Sequence, residues 1–267
     1  MMEKMIFGRY IPADSIAHKM DPRAKLIFVF AFIAIIFIAN DVWGYVVAAA
    51  FTYVSIKLSG LSLRFLMSGL KPVMILIAFT FLLQLFFARE GNIVFELGFI
   101  RIYEEGIRQA FFISMRFTLL VFMTSLLTLT TTPISITDGL ESLLNPLKKI
   151  KFPAHELALM MSIALRFIPT LMDETDKIMK AQMARGSDMS SGPLKDRIKA
   201  IVPLMIPLFV NAFKRAEDLA TAMEVRGYRG GEGRTKYRLL FWKARDTFAL
   251  LSLILLAAAL AAFRFWI

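Results

Sequence analysis

Residues 247–263 read TFALLSLILLAAALAAF, without a single charge, and this stretch decides what kind of protein the chain is. A run this apolar approaches the ~20 residues that carry a helix across a bilayer, and flanking polar side chains can snorkel to close the gap. Four further apolar runs lie upstream, at 26–39, 42–56, 72–88 and 107–132, the last with Arg108 and Arg116 near its start. Asn40-Asp41 separates the first two as a turn, so they read as a hairpin of short spans. Composition agrees: 57% of the 267 residues are hydrophobic, above the roughly 45–50% apolar content of soluble domains. The expected fold is an all-α integral membrane protein, with about five transmembrane helices plus a cytoplasmic module of long amphipathic helices.

The charges set the expected orientation. Lys and Arg accumulate in cytoplasmic connections. Five lie in the first 25 residues (Lys4, Arg9, Lys19, Arg23 and Lys25), none in the Asn40-Asp41 turn, and three at Lys57, Arg64 and Lys71. The 89–106 loop has two against four Glu. The alternation predicts a cytoplasmic N-terminus and a C-terminus outside. A net charge of +11 then follows from the membrane topology and does not call for a nucleic acid. The first 25 residues show no small-residue cleavage site after the hydrophobic run that follows, so no removable signal peptide is expected.

Residues 133–246 hold nineteen Lys and Arg against thirteen Asp and Glu. Within this block 157–168 and 200–213 are apolar enough to suggest another spanning hairpin. Were both to cross, Lys177, Lys180, Arg185, Lys195, Arg197 and Lys199 would lie outside, against the charge rule, so both are placed inside. The spacing predicts an amphipathic segment at about 135–150, interrupted by Pro146, and two long helices at about 153–186 and 193–227. Each long helix has Pro in its first turn and Gly just past its end. Pro169, Pro203 and Pro207 are expected to kink these helices or break them into pieces. The predicted organisation is a membrane region at 1–132, the cytoplasmic module at 133–246 and a last span at 247–267.

The two long helices close on an internal echo, Ala181-Gln182-Met183-Ala184-Arg185-Gly186 and Ala222-Met223-Glu224-Val225-Arg226-Gly227, 41 residues apart. Singly, each is an Arg that complements the helix dipole and a Gly that caps. In tandem they suggest two cationic tips offered to two similar acceptor sites, since an Arg fork fits a carboxylate. Sixteen Met fit either a plastic docking surface or ordinary packing. His18 and His155 stand far apart without a metal-ligand spacing and read as structural. Arg108 and Arg116, eight residues apart, share roughly one helix side, and an Arg within a span faces protein or water. The run at 227–234 lacks the ending of a phosphate loop and reads as a linker. With no Cys there is neither a disulfide framework nor a thiolate nucleophile.

The entry His18-Lys19-Met20-Asp21-Pro22-Arg23-Ala24-Lys25-Leu26 is, on physics alone, a turn plus a basic anchor at the membrane face. Together with Arg166-Phe167-Ile168-Pro169 and the Ala184-Arg185-Gly186 ending, it resembles the transmembrane T component of energy-coupling factor transporters. The resemblance spans nearly the whole chain. It implies that the two motifs end coupling helices and seat in grooves of two ATP-binding cassette ATPase subunits, with Arg185 and Arg226 in that role. The second motif departs from the family's Ala-Arg-Gly, reading Val225-Arg226-Gly227, which keeps the Arg and Gly and adds bulk before them. The resemblance further implies a substrate-binding membrane subunit (S component), a prokaryotic cell membrane, and a vitamin or metal ion as cargo. It implies no cofactor on this chain, with ATP and Mg held by the partner ATPases. In this reading Pro169, Pro203 and Pro207 are candidate hinges.

Rival readings are weaker. An intramembrane enzyme needs convergent catalytic groups at membrane depth, and no such constellation is visible. A stand-alone secondary transporter usually shows repeated halves with polar groups near the midplane, whereas this chain places its polarity in one block.

Overall fold

The computed structural model describes residues 10–87, 91–97, 100–186, 194–230 and 238–266. The chain divides into two compact units, Met1–Ser142 with Leu239–Ile267, and Leu143–Arg238. The protein is an all-α membrane protein.

In the first unit, α1 (Pro22–Ile35) starts with Pro22 in its first turn and Asp21 as N-cap. The ring's fixed φ suits that position, and the Asp21 side chain satisfies one of the otherwise unpaired first-turn donors. A 3-10 turn, Ile36–Ile38, extends it to the Asn40-Asp41 turn. From there α2 (Val42–Leu58) returns. The loop read between Lys57 and Lys71 contains a short helix, α3 (Leu63–Gly69), whose N-cap Ser62 accepts from the Phe65 amide. α4 (Lys71–Phe87) follows. The acidic loop beyond it carries a small antiparallel hairpin, β1 (Ile93–Leu97) with β2 (Ile100–Tyr103). Ile93, Val94, Ile100, Ile102 and Tyr103 belong to residue types favoured in strands.

α5 (Glu104–Thr130) is the long central helix, opened by Glu104 and Glu105, acids that suit the positive end of the helix dipole. α6 (Pro133–Leu144) lies against the start of α1. A Cβ added at Gly139 would come within 3.1 Å of the Leu26 side chain and 3.2 Å of Pro22, so a larger residue would fit only if these neighbours gave way by a few tenths of an ångström. α9 (Ala244–Trp266) packs on α1 and α2. Phe32, Ile36, Tyr45, Met123, Leu256 and Leu260 are the centre of the core, and Phe51 stacks on both Phe28 and Phe32.

In the second unit a 3-10 segment, Asn145–Ile150, takes over at Pro146 and ends at Lys151 in the left-handed region. Two long helices follow, α7 (Ala154–Ala184) and α8 (Leu194–Val225). Pro153 is the N-cap of α7 rather than its first helical residue. Gly192-Pro193, read as the start of the second long helix, lies outside the described residues, as do residues 231–234 of the linker at 227–234. Both helices run unbroken through Pro169, Pro203 and Pro207, so the prolines do not divide them. Each removes one backbone donor while the flanking turns continue.

Among the described residues, four helical stretches are long and apolar enough to cross a membrane: Val42–Ser59, Glu104–Thr130, Ala154–Ala184 and Ala244–Arg264. Lys71–Phe87 is a shorter apolar helix. The chain is thus a multi-pass membrane protein.

Candidate functional site

The two echoed motifs adopt one geometry. At the end of α7, the Arg185 amide donates to Ala181 O at 3.2 Å, and the Gly186 amide donates to Met183 O at 3.0 Å. At the end of α8, the Arg226 amide donates to Ala222 O at 3.2 Å, the Gly227 amide to Glu224 O at 2.9 Å and the Tyr228 amide to Met223 O at 3.0 Å. The α8 bonds form a complete Schellman closure. Gly186 has φ +86° and Gly227 φ +74°, and a Cβ at either would meet nothing within 4 Å. Glycine is therefore required by the left-handed backbone and not by crowding. Ala184, Arg185, Gly186, Val225, Arg226 and Gly227 are all exposed, and Val225 is 83% accessible. Valine's added bulk thus meets no neighbour of its own chain that would hide it.

α7 and α8 pack together. Arg215 on α8 pairs with Glu174 on α7 through Nη2 and Oε1. These two residues are also 41 apart, the spacing of the echo, so each lies eleven positions before its own tip arginine. At 1.5 Å per residue, both tips stand ~16 Å beyond the point where the helices are tied. Ile163, Phe167, Leu171, Ala216, Leu219 and Met223 line an apolar groove of the same pair. Along α8, Ile201, Val202, Met205, Ile206, Phe209 and Phe213 are exposed. Their spacing places them on one stripe. Of the methionines, Met160, Met161 and Met183 are exposed, while Met123 is core.

Sequence reasoning missed a polar hub in the first unit. Asp246 is fully buried. Its Oδ1 accepts from the Asp21 amide at 2.9 Å and its Oδ2 from the Lys243 amide at 2.8 Å. The second bond is half of a capping box at the start of α9, and the first ties that start to the start of α1. Arg23 donates from Nε and Nη2 to the two oxygens of Asp21 at 3.0 and 2.9 Å, and from Nη2 to Leu240 O at 3.3 Å. Burial alone would push the Asp21 carboxyl up, but the hydrogen bonds and charge of Arg23 outweigh it and hold it below its ordinary value. The buried Lys25 ammonium donates to Thr130 O at 2.8 Å, Thr131 Oγ1 at 3.1 Å and His18 O at 3.4 Å. The starts of α1 and α9 and the end of α5 therefore meet at one end of this unit. The entry segment is more than a surface anchor. The sequence signal available for the hub was an acid, Asp246, three residues after Lys243 at the mouth of a span.

Arg116, Arg108 and His18 have structural partners. Arg116 donates to Tyr45 Oη at 3.1 Å and Ala39 O at 3.3 Å, and lies over Phe37. Arg108 is within 3.8 Å of Asp41. His18 bonds Ser15 Oγ at 2.6 Å and Ile11 O at 2.9 Å.

Comparison with known proteins bears on this arrangement. A family model described as cobalt transport protein (CbiQ) matches residues 13–237. Proteins named energy-coupling factor transporter transmembrane protein EcfT are similar over nearly their full length. One from Bacillus subtilis (strain 168) is 61% identical over 260 residues, covering 97% of this chain and 98% of that protein. One from Macrococcus caseolyticus is 56% identical over 254 residues, covering 95% and 96%. One from Listeria innocua serovar 6a is 54% identical over 267 residues, covering 100% and 99%.

Proposed function

Because this chain belongs to the family of energy-coupling factor transporter transmembrane proteins, we propose that it is the non-catalytic coupling subunit of an ABC-type vitamin or metal-ion importer. Arg185 and Arg226 dock two ATP-binding cassette ATPase subunits, which hold ATP and Mg, and the chain passes their movement to a substrate-binding membrane subunit. The observation that carries this reading is the pair of exposed Arg-Gly tips, each turned on a left-handed glycine, standing equal lengths beyond the Glu174–Arg215 tie. Two like ends on one packed pair of helices suit two like acceptors, and an arginine fork makes charge-assisted bonds to carboxylate.

In mechanism, closing of the ATPase pair displaces the tips. α7 and α8 carry the displacement because each is continuous, and Pro169, Pro203 and Pro207 supply points where the ladder of backbone bonds is interrupted and bending is easy. The exposed apolar stripe of α8 meets the substrate-binding subunit or lipid.

The domains follow the same reading: spans within 1–132 and 247–267, and a cytoplasmic coupling module at 133–246. α7 is apolar enough to cross. Its second half, however, carries Asp173, Glu174, Asp176, Lys177 and Lys180, which favours the cytoplasmic placement. With the N-terminus in the cytoplasm, the shared end of α1, α9 and α5 faces inward and the C-terminus lies outside.

The test is co-purification of ATPase subunits from native membranes with the tagged chain. Each charge-assisted bond is worth about 1.5–3 kcal/mol, so Arg185→Ala/Arg226→Ala is expected to weaken docking at least ~100-fold and to abolish uptake. Full transport by the double variant at native expression would sink the reading. Recovery of no ATPase even with the unaltered chain would favour a self-sufficient transporter.

A further inference from the structure

The first unit contains a cavity of about 520 Å³ that the coupling mechanism does not use. α1, α2, α5 and α9 wall it, with Phe28, Phe51, Met123 and Phe248 among its apolar lining. Its size is that of a small-ligand site, about 300–1,000 Å³.

The polar groups on its wall divide sharply. The hydroxyls of Ser55, Thr130 and Ser252 each donate to a carbonyl of their own helix, at 2.9, 2.7 and 2.7 Å. Lys25 is fully engaged by the three oxygens described above. None of these asks anything of a ligand. Arg245 is different, because it lines the cavity and its Nε is buried with no hydrogen-bond partner. A guanidinium stays charged and carries five donors, and a buried donor without an acceptor is costly. It also stands in the first turn of α9, where the helix dipole disfavours a cation. Among the described residues that line the cavity, Arg245 thus makes the one unmet demand, which an anion would meet, and the other polar groups are already paired.

Position supplies the rest. Arg245 adjoins the hub where the charged starts of α1 and α9 meet the end of α5, the headgroup end of a membrane bundle, while Phe51, Met123 and Ser252 line the cavity from within their helices. An anion at the interface joined to an apolar body at depth is the chemistry of a lipid. We propose that this cavity holds one acyl chain of an anionic phospholipid whose phosphate pairs with Arg245.

Native mass spectrometry of the full chain in detergent tests it, with phosphatidylglycerol, phosphatidylcholine or inorganic phosphate added. Unaltered protein is expected to retain one phosphatidylglycerol with about tenfold preference over phosphatidylcholine. Arg245→Gln loses that preference, Arg245→Lys keeps most of it, and Ala249→Trp, which fills the cavity, loses retention of the lipid. Equal retention of the two lipids by the unaltered protein overturns the proposal, and that comparison decides alone should a variant fail to fold. Displacement of the lipid by inorganic phosphate also overturns it, since the site would then be a simple anion site. So does undiminished retention by Arg245→Gln and Ala249→Trp.

Discussion

Two acids show how differently the two units use charge. Asp246, in the first unit, is completely buried and both its oxygens are taken by backbone amides from two separate chain segments. Glu174, in the second, gives one oxygen to Arg215 while its other oxygen has no hydrogen-bond partner. The first arrangement has one good geometry and fixes where α1 and α9 begin. The second is a side-chain tie between two helices that both keep apolar side chains exposed. A fully satisfied polar network specifies a unique packing. A tie between long side chains tolerates small changes in helix angle, which suits the coupling role proposed for this pair. The membrane unit is thus built to hold its shape, and the α7–α8 unit to adjust.

The sharpest way to break this contrast is Asp246→Ala, which strands the Asp21 and Lys243 amides. An unsatisfied buried donor costs about 1–3 kcal/mol, so the unfolding temperature of the purified chain in detergent should drop by several degrees. An unchanged value would mean the hub is not what fixes the bundle end.

A smaller effect is expected from Arg215→Ala. Leaving Glu174 partly buried without its cation should cost about 1–2 kcal/mol, felt in α7 and α8 only. Amide hydrogen exchange should quicken in those helices and stay unchanged in α1, α5 and α9. Exchange that quickens across both units would show that they do not behave independently.

Least of all, Gly227→Ala puts a Cβ on a left-handed residue with open space around it. The strain is about 1 kcal/mol, confined to the last turn of α8. Faster exchange at the Tyr228 amide with little change elsewhere is expected. Because nothing is crowded, any loss of ATPase docking would trace to the aim of the Arg226 tip.

The tips were legible from the sequence because Arg-Gly endings are local: a left-handed cap needs only the glycine and the helix before it. The Glu174–Arg215 tie was hidden, since nothing in the order of residues says which faces of α7 and α8 meet. Arg116 shows the same limit. Its place within a span marked it as facing protein or water, but only folding identifies Tyr45 and Ala39 as its partners.

By itself the sequence determined the membrane class, the main helices and the two capped tips. Hydrophobic runs, charge bias and glycine caps act over a few turns of chain and are written in the order of residues. The tertiary structure alone decided the hub joining Asp21 to Asp246 across 225 residues, the unbroken passage of α7 and α8 through their prolines, the β1–β2 hairpin and the cavity beside Arg245. Each of these depends on which surfaces come together, and a one-dimensional pattern fixes periodicity without fixing partners.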